Sequence, residues 1–151
     1  MFHTVLPQAK RGDIHKTIHM KYFTLEELTR SQTAQRLNIA NEPDTDSIYN
    51  MRQLIHKVLD PARAWLDYPI LITSGYRSRE LNSAVGGNIA SQHCTGHAAD
   101  ITCPSDRMQL LYHYIANSLD FDQLIYYISR NFIHVSYVTH RKNRHQIIIK
   151  P

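Results

Sequence analysis

The chain has 151 residues, of which 42% are hydrophobic and 20% charged, so it can form one domain whose core needs no disulfide framework. This composition excludes an intrinsically disordered chain, and no apolar run approaches the length of a membrane span. The formal net charge of +4 favours anionic partners in general. No aromatic–basic motif accompanies that charge, so we expect no nucleic-acid partner, and the short apolar runs predict no membrane insertion. The one basic cluster, expected to be a solvated tail, comprises Arg141, Lys142, Arg144 and His145.

The first 19 residues show no clean apolar periodicity, and they also lack the continuous apolar core of a secretory signal. We therefore predict a flexible N-terminal extension over residues 1–19, followed by a single domain over residues 20–151. Without a signal peptide, the protein is expected to stay in the cytoplasm until another factor releases it.

The first half of the domain carries helical patterns. Thr24 followed by Glu27 has the spacing of a capping box and predicts a short helix that runs to about Thr29. A longer apolar stripe at intervals of three and four predicts a second helix, with Pro61 inside it as a kink or a new start. The stripe comprises Ile48, Met51, Leu54, Ile55, Val58, Leu59, Ala62 and Trp65. We expect these residues, including the single tryptophan, to lie in the core.

The second half is richer in strand patterns. The predicted strands cover residues 69–74, 98–102, 123–128, 132–138 and 147–149. The first of them is almost entirely apolar and is expected to be buried. Ser105 is expected to cap an amphipathic helix that follows the second strand. Helices first, and then mainly strands with one more helix, predict an α+β fold.

Ten histidines are more than this length needs, and the segment 91–100 is the best place to look for metal ligands. His93 and Asp100 are too far apart for one helical turn, but a loop that returns at Gly96 into a strand can bring both to one ion. Catalytic zinc sites use three protein ligands and keep one position open, and His134 is a candidate for the third. On spacing alone, the histidines that compete for this role are His97, His113, His140 and His145.

Four short blocks occur in order along the chain. They are Ser74–Ser78 (SGYRS), Ser91–Asp100 (SxHxxGxAxD), Phe121–Ile125 (FDQLI) and Ile133–Ser136 (IHVS). Together they resemble the zinc D-alanyl-D-alanine carboxypeptidase family, which includes phage endolysins and shares its fold with the hedgehog signalling domain. The opening block Tyr22–Leu28 is similar to the start of phage and prophage members. The resemblance implies a small antiparallel sheet with helices packed on it, and one zinc ion held by His93, Asp100 and His134.

The resemblance further implies a zinc metallopeptidase that cleaves peptides of bacterial peptidoglycan, as a D-Ala-D-Ala carboxypeptidase or as an endolysin-type endopeptidase. We expect a monomer, and a phage or prophage product would fit the missing signal. The family gives an arginine at the position of Arg77 the task of binding substrate or stabilising the oxyanion, for which a guanidinium is suited. Ser91 and Gln123 are the other expected substrate contacts, and Ser91 is also expected to support the ligand loop.

The general base is where this sequence departs from the family pattern. Family members place Glu or Asp three residues before the last histidine or on the neighbouring strand, but those positions hold Asn131 and Tyr127. If the hairpin loop has two or four residues, Tyr127 shares the face of His134; a tyrosine can stabilise an oxyanion, yet it is a poor base near neutral pH. Asp122 is the remaining nearby carboxylate, with a structural role in a turn as the alternative. His97 is another candidate proton carrier.

These departures favour a second interpretation of the same fold. A chain that keeps the zinc site but lacks a base would be a non-catalytic, zinc-containing module that binds the cell wall. Cleavage of purified cell walls, with and without a chelator, separates the two interpretations.

Overall fold

The structure, a computed structural model, describes residues 20–151, so the predicted extension over residues 1–19 lies outside the described residues. The helices are α1 (Leu25–Thr29), α2 (Gln32–Arg36), α3 (Thr45–Leu54), α4 (Asp60–Leu66), α5 (Arg79–Ala84) and α6 (Ser105–Ser118). A π-helical turn, Ile55–Leu59, joins α3 to α4, and a 3₁₀ turn, Gln92–Thr95, precedes the second strand. The strands are β1 (Leu71–Ser74), β2 (Ala98–Thr102), β3 (Gln123–Tyr127), β4 (Phe132–Ser136) and β5 (Gln146–Lys150). These elements confirm the predicted α+β class, and no helix in the described part of the chain is long and apolar enough to cross a membrane.

Side-chain caps begin two helices of the first half. Thr24 precedes α1, and its hydroxyl accepts a hydrogen bond from the Glu27 backbone N–H (3.2 Å), which confirms Thr24 as the N-cap of the predicted helix. Asp44 caps α3 in the same way through the Ser47 N–H (2.7 Å). Pro61 lies in the first turn of α4, directly after the π-helical turn, so the predicted interruption of the long helix occurs there.

One five-stranded sheet, in the order β1-β2-β4-β3-β5, carries the second half of the chain. Neighbouring strands run antiparallel, except that β5 pairs in parallel with β3. Asp100 lies opposite His134, and His134 lies opposite Ile125. Because the side chains of opposed residues share a face of the sheet, these three side chains form a line across it.

The helices and one face of the sheet enclose the core. The sheet contributes Ile101, Leu124, Ile133 and Val135, which have no exposed surface. The helices contribute Met51, Leu54, Ile55, Val58, Leu59, Met108, Leu111 and Ile115, which are also fully buried. Strand alternation sends Asp100 and His134 to the face opposite Ile101 and Ile133, so the core supports the two polar side chains without covering them.

Three expectations about burial and capping were wrong. β1 is an edge strand rather than a buried one, because only β2 pairs with it, and Leu71 is 64% exposed. Trp65 is 50% exposed and stacks on Tyr114 with the ring centroids 4.4 Å apart, because the apolar stripe reaches the surface at the end of α4. Ser105 is the first residue of α6 rather than its cap, a position that Pro104 occupies.

Candidate metal centre

Three side chains from separate parts of the chain meet on the accessible face of the sheet. Asp100 on β2 lies opposite His134 on β4, so the register places both side chains on one face. His93 comes from the 3₁₀ turn before β2. Ser91 caps that turn, since its hydroxyl accepts a hydrogen bond from the His93 N–H (3.3 Å), and the turn ends at Gly96, whose φ of 75° reverses the chain.

The ligand atoms of these three residues are close enough to share one metal ion. Oδ1 of Asp100 lies 3.0 Å from Nδ1 of His134 and 3.4 Å from Nε2 of His93, and the three ligand atoms all lie within 4.8 Å of one another. Zinc about 2 Å from each ligand in tetrahedral geometry separates its ligands by about 3.3 Å, so this spacing fits. Within residues 20–151, no other group of three or more His, Cys, Asp or Glu side chains has such spacing.

The backbone fixes the orientation of the His93 imidazole. Its Nδ1 lies 2.7 Å from the carbonyl oxygen of Gly75, and because a carbonyl only accepts, Nδ1 carries a proton, which leaves Nε2, 3.4 Å from Oδ1 of Asp100, as the nitrogen that can ligate a metal. Glycine is required at position 75, since a Cβ there would overlap the backbone carbonyl of Leu28. That carbonyl accepts a hydrogen bond from the Tyr76 N–H (2.6 Å), which anchors the end of β1 against α1.

Asp100 stays ionised although its side chain is only 15% exposed. Burial alone would raise the pKa of its carboxyl, but hydrogen bonds from His134 and His93 outweigh burial and hold the pKa well below its usual range. An ionised carboxylate beside two imidazole nitrogens is a donor set that suits zinc. The residues present therefore fit the metal that the sequence predicts.

Arg77 reaches the other oxygen of the same carboxylate. Its Nη2 lies 3.6 Å from Oδ2 of Asp100, and its side chain is 18% exposed. Two further contacts hold the guanidinium, because Nε donates to Oγ of Ser74 (3.1 Å) and Nη1 donates to Oδ1 of Asn82 (3.3 Å). The Arg77 backbone N–H also donates to the carbonyl of His93 (3.1 Å). A fixed guanidinium beside the metal position can bind a carboxylate or a developing negative charge.

The family comparison agrees with this geometry. A sequence profile of peptidase M15 matches residues 21–136, about three quarters of the chain, and that stretch includes Arg77 and the three candidate ligands. The chain belongs to the peptidase M15 family. Membership confirms the resemblance to the zinc D-Ala-D-Ala carboxypeptidases and implies a hydrolase, from a family of peptidases that depend on zinc. No protein in the curated collection matches the chain.

Asp122, the candidate base, lies outside the group of candidate metal ligands of this M15 family member. Its carboxylate is fully buried. It accepts two hydrogen bonds from the guanidinium of Arg141 (2.5 and 3.0 Å) and further hydrogen bonds from Arg144, of which that from Nη2 is 2.8 Å long. The side-chain amide of Gln92 donates one more (2.9 Å). Burial would raise the pKa of Asp122, but these hydrogen bonds, led by those of Arg141, hold it well below its usual range. A carboxylate that accepts this many hydrogen bonds is a weak base. In the structure it joins the C-terminal segment to the turn that carries His93.

The prediction of a solvated tail is therefore wrong for three of its four residues. Arg141 and Arg144 are 40% and 48% exposed, yet both guanidiniums bind Asp122. His145 is also engaged, because its Nε2 lies 2.5 Å from Oδ1 of Asp120.

The two positions where family members carry a base hold residues in other contacts. Tyr127 shares the face of the ligand histidine on β4, as expected for a four-residue connection, and its ring stacks on Phe132 with the centroids 4.3 Å apart. Asn131 lies in the hairpin with a φ of 52°, and its Nδ2 donates to the carbonyl of Cys103 (2.9 Å). Its own carbonyl accepts from the hydroxyl of Thr102 (2.6 Å), so Asn131 fastens the hairpin to the end of β2.

The remaining candidates lie around the centre rather than within it. Ser91 supports the ligand turn through its cap and also lines a cavity beside His134, as does Gln123, whose amide donates to Gln146 (2.8 Å). His97 is buried, with Nδ1 lying 2.7 Å from the Thr95 hydroxyl. Burial, followed by the charge of the nearby His140, lowers the pKa of His97 to about 4. A histidine with such a pKa stays neutral at physiological pH.

Some residues that shape the site carried no role in the sequence interpretation. The Gly75 carbonyl orients His93 and the Ser74 hydroxyl binds Arg77, and both residues lie in the block Ser74–Ser78, which was the available signal. Asn82, which holds Arg77, and Gln92, which joins the ligand turn to Asp122, gave no such signal because their partners are distant in sequence.

Proposed function

We propose that this M15 peptidase is a zinc enzyme that hydrolyses peptide bonds in bacterial peptidoglycan. The observation that carries the proposal is the convergence of His93, Asp100 and His134 on one point, with the guanidinium of Arg77 fixed beside it. Three protein ligands with an accessible face above them are typical of a catalytic site, whereas a structural zinc site closes all four positions.

Each residue has a defined task in such a reaction. His93, Asp100 and His134 would hold the zinc ion, which when bound acts as a Lewis acid on a peptide carbonyl. Arg77 lies where it can bind a substrate carboxylate or the negative charge that develops on the carbonyl oxygen. Its contacts with Ser74 and Asn82 fix the guanidinium before substrate arrives, so little reorganisation accompanies the reaction.

Family membership and surface charge support peptidoglycan as the substrate. The resemblance implies cell-wall peptides, and the net charge of +4 favours association with an anionic wall. The opening block Tyr22–Leu28 is similar to phage and prophage members, so an endolysin that acts on the wall after release is the setting that we propose. We further propose that it works as a monomer, since all the candidate ligands come from one chain.

Digestion of purified cell walls tests the proposal. The zinc-loaded protein is incubated with peptidoglycan, and the soluble products are analysed for new amino and carboxyl termini by mass spectrometry. We expect new termini in equal numbers, loss of cleavage with a chelator and recovery when zinc is added. The position of the new termini separates carboxypeptidase from endopeptidase cleavage. Intact peptides after incubation with a fully zinc-loaded protein would contradict the proposal.

A second candidate function is a zinc-containing module that binds the cell wall without cleaving it. Asn131 and Tyr127 at the usual positions of the base favour this function, as does the full engagement of Asp122. The same digestion distinguishes the two, because the module would sediment with peptidoglycan and release no peptide termini.

A further inference from the structure

A cavity of about 430 Å³ opens beside the ligand His134, and basic side chains line part of it. Arg141 and Arg144 contribute their guanidiniums, and Ser91 and Gln123 contribute polar groups. A group bound in this cavity would therefore lie next to the metal centre. The sequence match to the M15 family ends at residue 136, so the two arginines belong to a segment of this chain that the family match does not cover.

The charge of this cluster is not balanced. Two guanidiniums share the single carboxylate of Asp122, which leaves one positive charge in excess. The nearest acidic neighbour in sequence, Asp120, is already engaged, because Oδ1 binds His145 and Oδ2 accepts from Asn143 (3.0 Å). The cavity wall therefore carries a net charge of about +1, which one monovalent anion would neutralise.

Arg141 and Arg144 each keep N–H groups that do not bind Asp122. Arg141 binds Asp122 through Nη1 and Nη2, and Arg144 binds it through Nε and Nη2. Among residues 20–151, no acceptor contacts Nε of Arg141 or Nη1 of Arg144. The buried carboxylate holds both side chains in place, so the remaining N–H groups are oriented before any ligand binds.

We propose that Arg141 and Arg144 form a carboxylate-binding subsite that selects peptide substrates with a free carboxylate close to the scissile bond. This inference rests on the proposed function, because it assigns the chemical class of the substrate at the same centre. Carboxylates are the anions that a peptide itself carries, and a guanidinium fork binds them with paired hydrogen bonds. The carboxylate can be the C-terminus of the peptide or an acidic side chain.

Two pairs of synthetic peptides test the subsite and distinguish these sources. One pair differs only in a free or amidated C-terminus, and the other only in Glu or Gln beside the scissile bond. Binding to the metal-free protein is measured by calorimetry, and kcat/KM is measured with the zinc-loaded protein. We expect the acid of at least one pair to bind about tenfold more tightly than its amide, and added salt to reduce the difference. The pair that shows the preference identifies the source.

Single variants locate the effect on the arginines. Arg144→Gln and Arg141→Gln each leave one guanidinium on Asp122, so the buried carboxylate keeps a partner, and each is expected to reduce the acid preference to about twofold or less. Lys142→Gln removes the same charge from the same segment, but Lys142 does not line the cavity, so it is expected to keep the preference. Circular dichroism and thermal unfolding verify the fold of each variant.

The outcomes separate this inference from the proposed function. Equal affinity of the wild-type protein for acid and amide in both pairs would overturn the subsite even if the peptides are cleaved, and this result needs no variant. An unchanged preference in folded Arg141→Gln and Arg144→Gln proteins would overturn it as well. Acid-selective binding without any cleavage would support the subsite and contradict the peptidase.

Discussion

Asp100 and Asp122 are two carboxylates with little or no exposed surface that the fold keeps ionised by different means. Asp100 lies between the imidazoles of His93 and His134, with one guanidinium at 3.6 Å. Asp122 has no exposed surface and accepts hydrogen bonds from two guanidiniums, an amide and a backbone N–H. In both residues hydrogen bonds outweigh burial and hold the pKa well below its usual range.

The two carboxylates differ in whether their hydrogen-bond partners can lose a proton. An imidazole can lose its proton and present a lone pair, so the partners of Asp100 can become ligands of the same cation. A guanidinium does not lose its proton in a protein, so Asp122 has fixed counter-ions. One carboxylate is thus placed to bind an exchangeable cation, and the other binds the C-terminal segment to the ligand turn.

Removal of a metal ligand should have the largest effect. His134→Ala leaves two ligands, and we expect zinc affinity to fall by several orders of magnitude and peptide hydrolysis to fall about 10⁴-fold or more. Zinc content by mass spectrometry and cleavage of cell-wall peptides check this. His113→Ala removes an imidazole from an exposed position on α6 and serves as the matched control. Full zinc content in His134→Ala would contradict the assignment of His134 as a metal ligand.

Loss of Arg77 should separate catalysis from metal binding. In Arg77→Ala the three ligands remain, so zinc content should stay at one ion per chain while kcat/KM falls by about 10² to 10³. Arg79→Ala, two residues further on at an exposed position, is expected to keep its activity. If Arg77→Ala lost zinc as well, the guanidinium would be holding Asp100 in place rather than binding substrate.

The sequence located the metal centre better than it located the cluster around Asp122, for a physical reason. His93, Gly96 and Asp100 fall within one block whose turn and strand bring the ligands together locally, and His134 lies in a strand of clear alternation. Arg141 is 19 residues from Asp122, in a segment without periodicity, so nothing local indicates their pairing. The exposure of Leu71 is likewise not local, because it depends on β1 lying at the edge of the sheet.

Neutralising Asp122 should reduce stability rather than zinc binding. Asp122→Asn leaves two guanidiniums without their counter-ion, and we expect a loss of roughly 3 kcal/mol in the free energy of unfolding. Urea unfolding of the metal-free protein measures it. The exposed Asp120→Asn is the matched control, with an expected loss below about 1 kcal/mol. Asp100→Asn should lose zinc, whereas Asp122→Asn should keep it.

The contribution of Asp122 should also depend on pH. Its folded pKa lies below the unfolded value of about 3.9, so the unfolded state binds the proton more readily. The stabilisation is therefore complete above about pH 5 and is lost as the pH falls below 4. The difference between the wild-type protein and Asp122→Asn should shrink over that acidic range. A difference that is constant between pH 6 and pH 3 would show that ionisation of Asp122 contributes nothing.

The smallest expected effect concerns Gln92, which connects the two regions. Its amide donates to Asp122 (2.9 Å), and the next residue is the ligand His93. Gln92→Ala should cost about 1 kcal/mol of stability and lower zinc affinity less than tenfold, because the ligand turn keeps its cap at Ser91 but loses its link to the buried carboxylate. In a double-mutant cycle with Asp122→Ala, the two losses should fall short of additivity by about 1 kcal/mol, since either change removes the same hydrogen bond. Additive losses, with unchanged zinc affinity in Gln92→Ala, would mean that the Asp122 cluster and the metal centre are energetically independent.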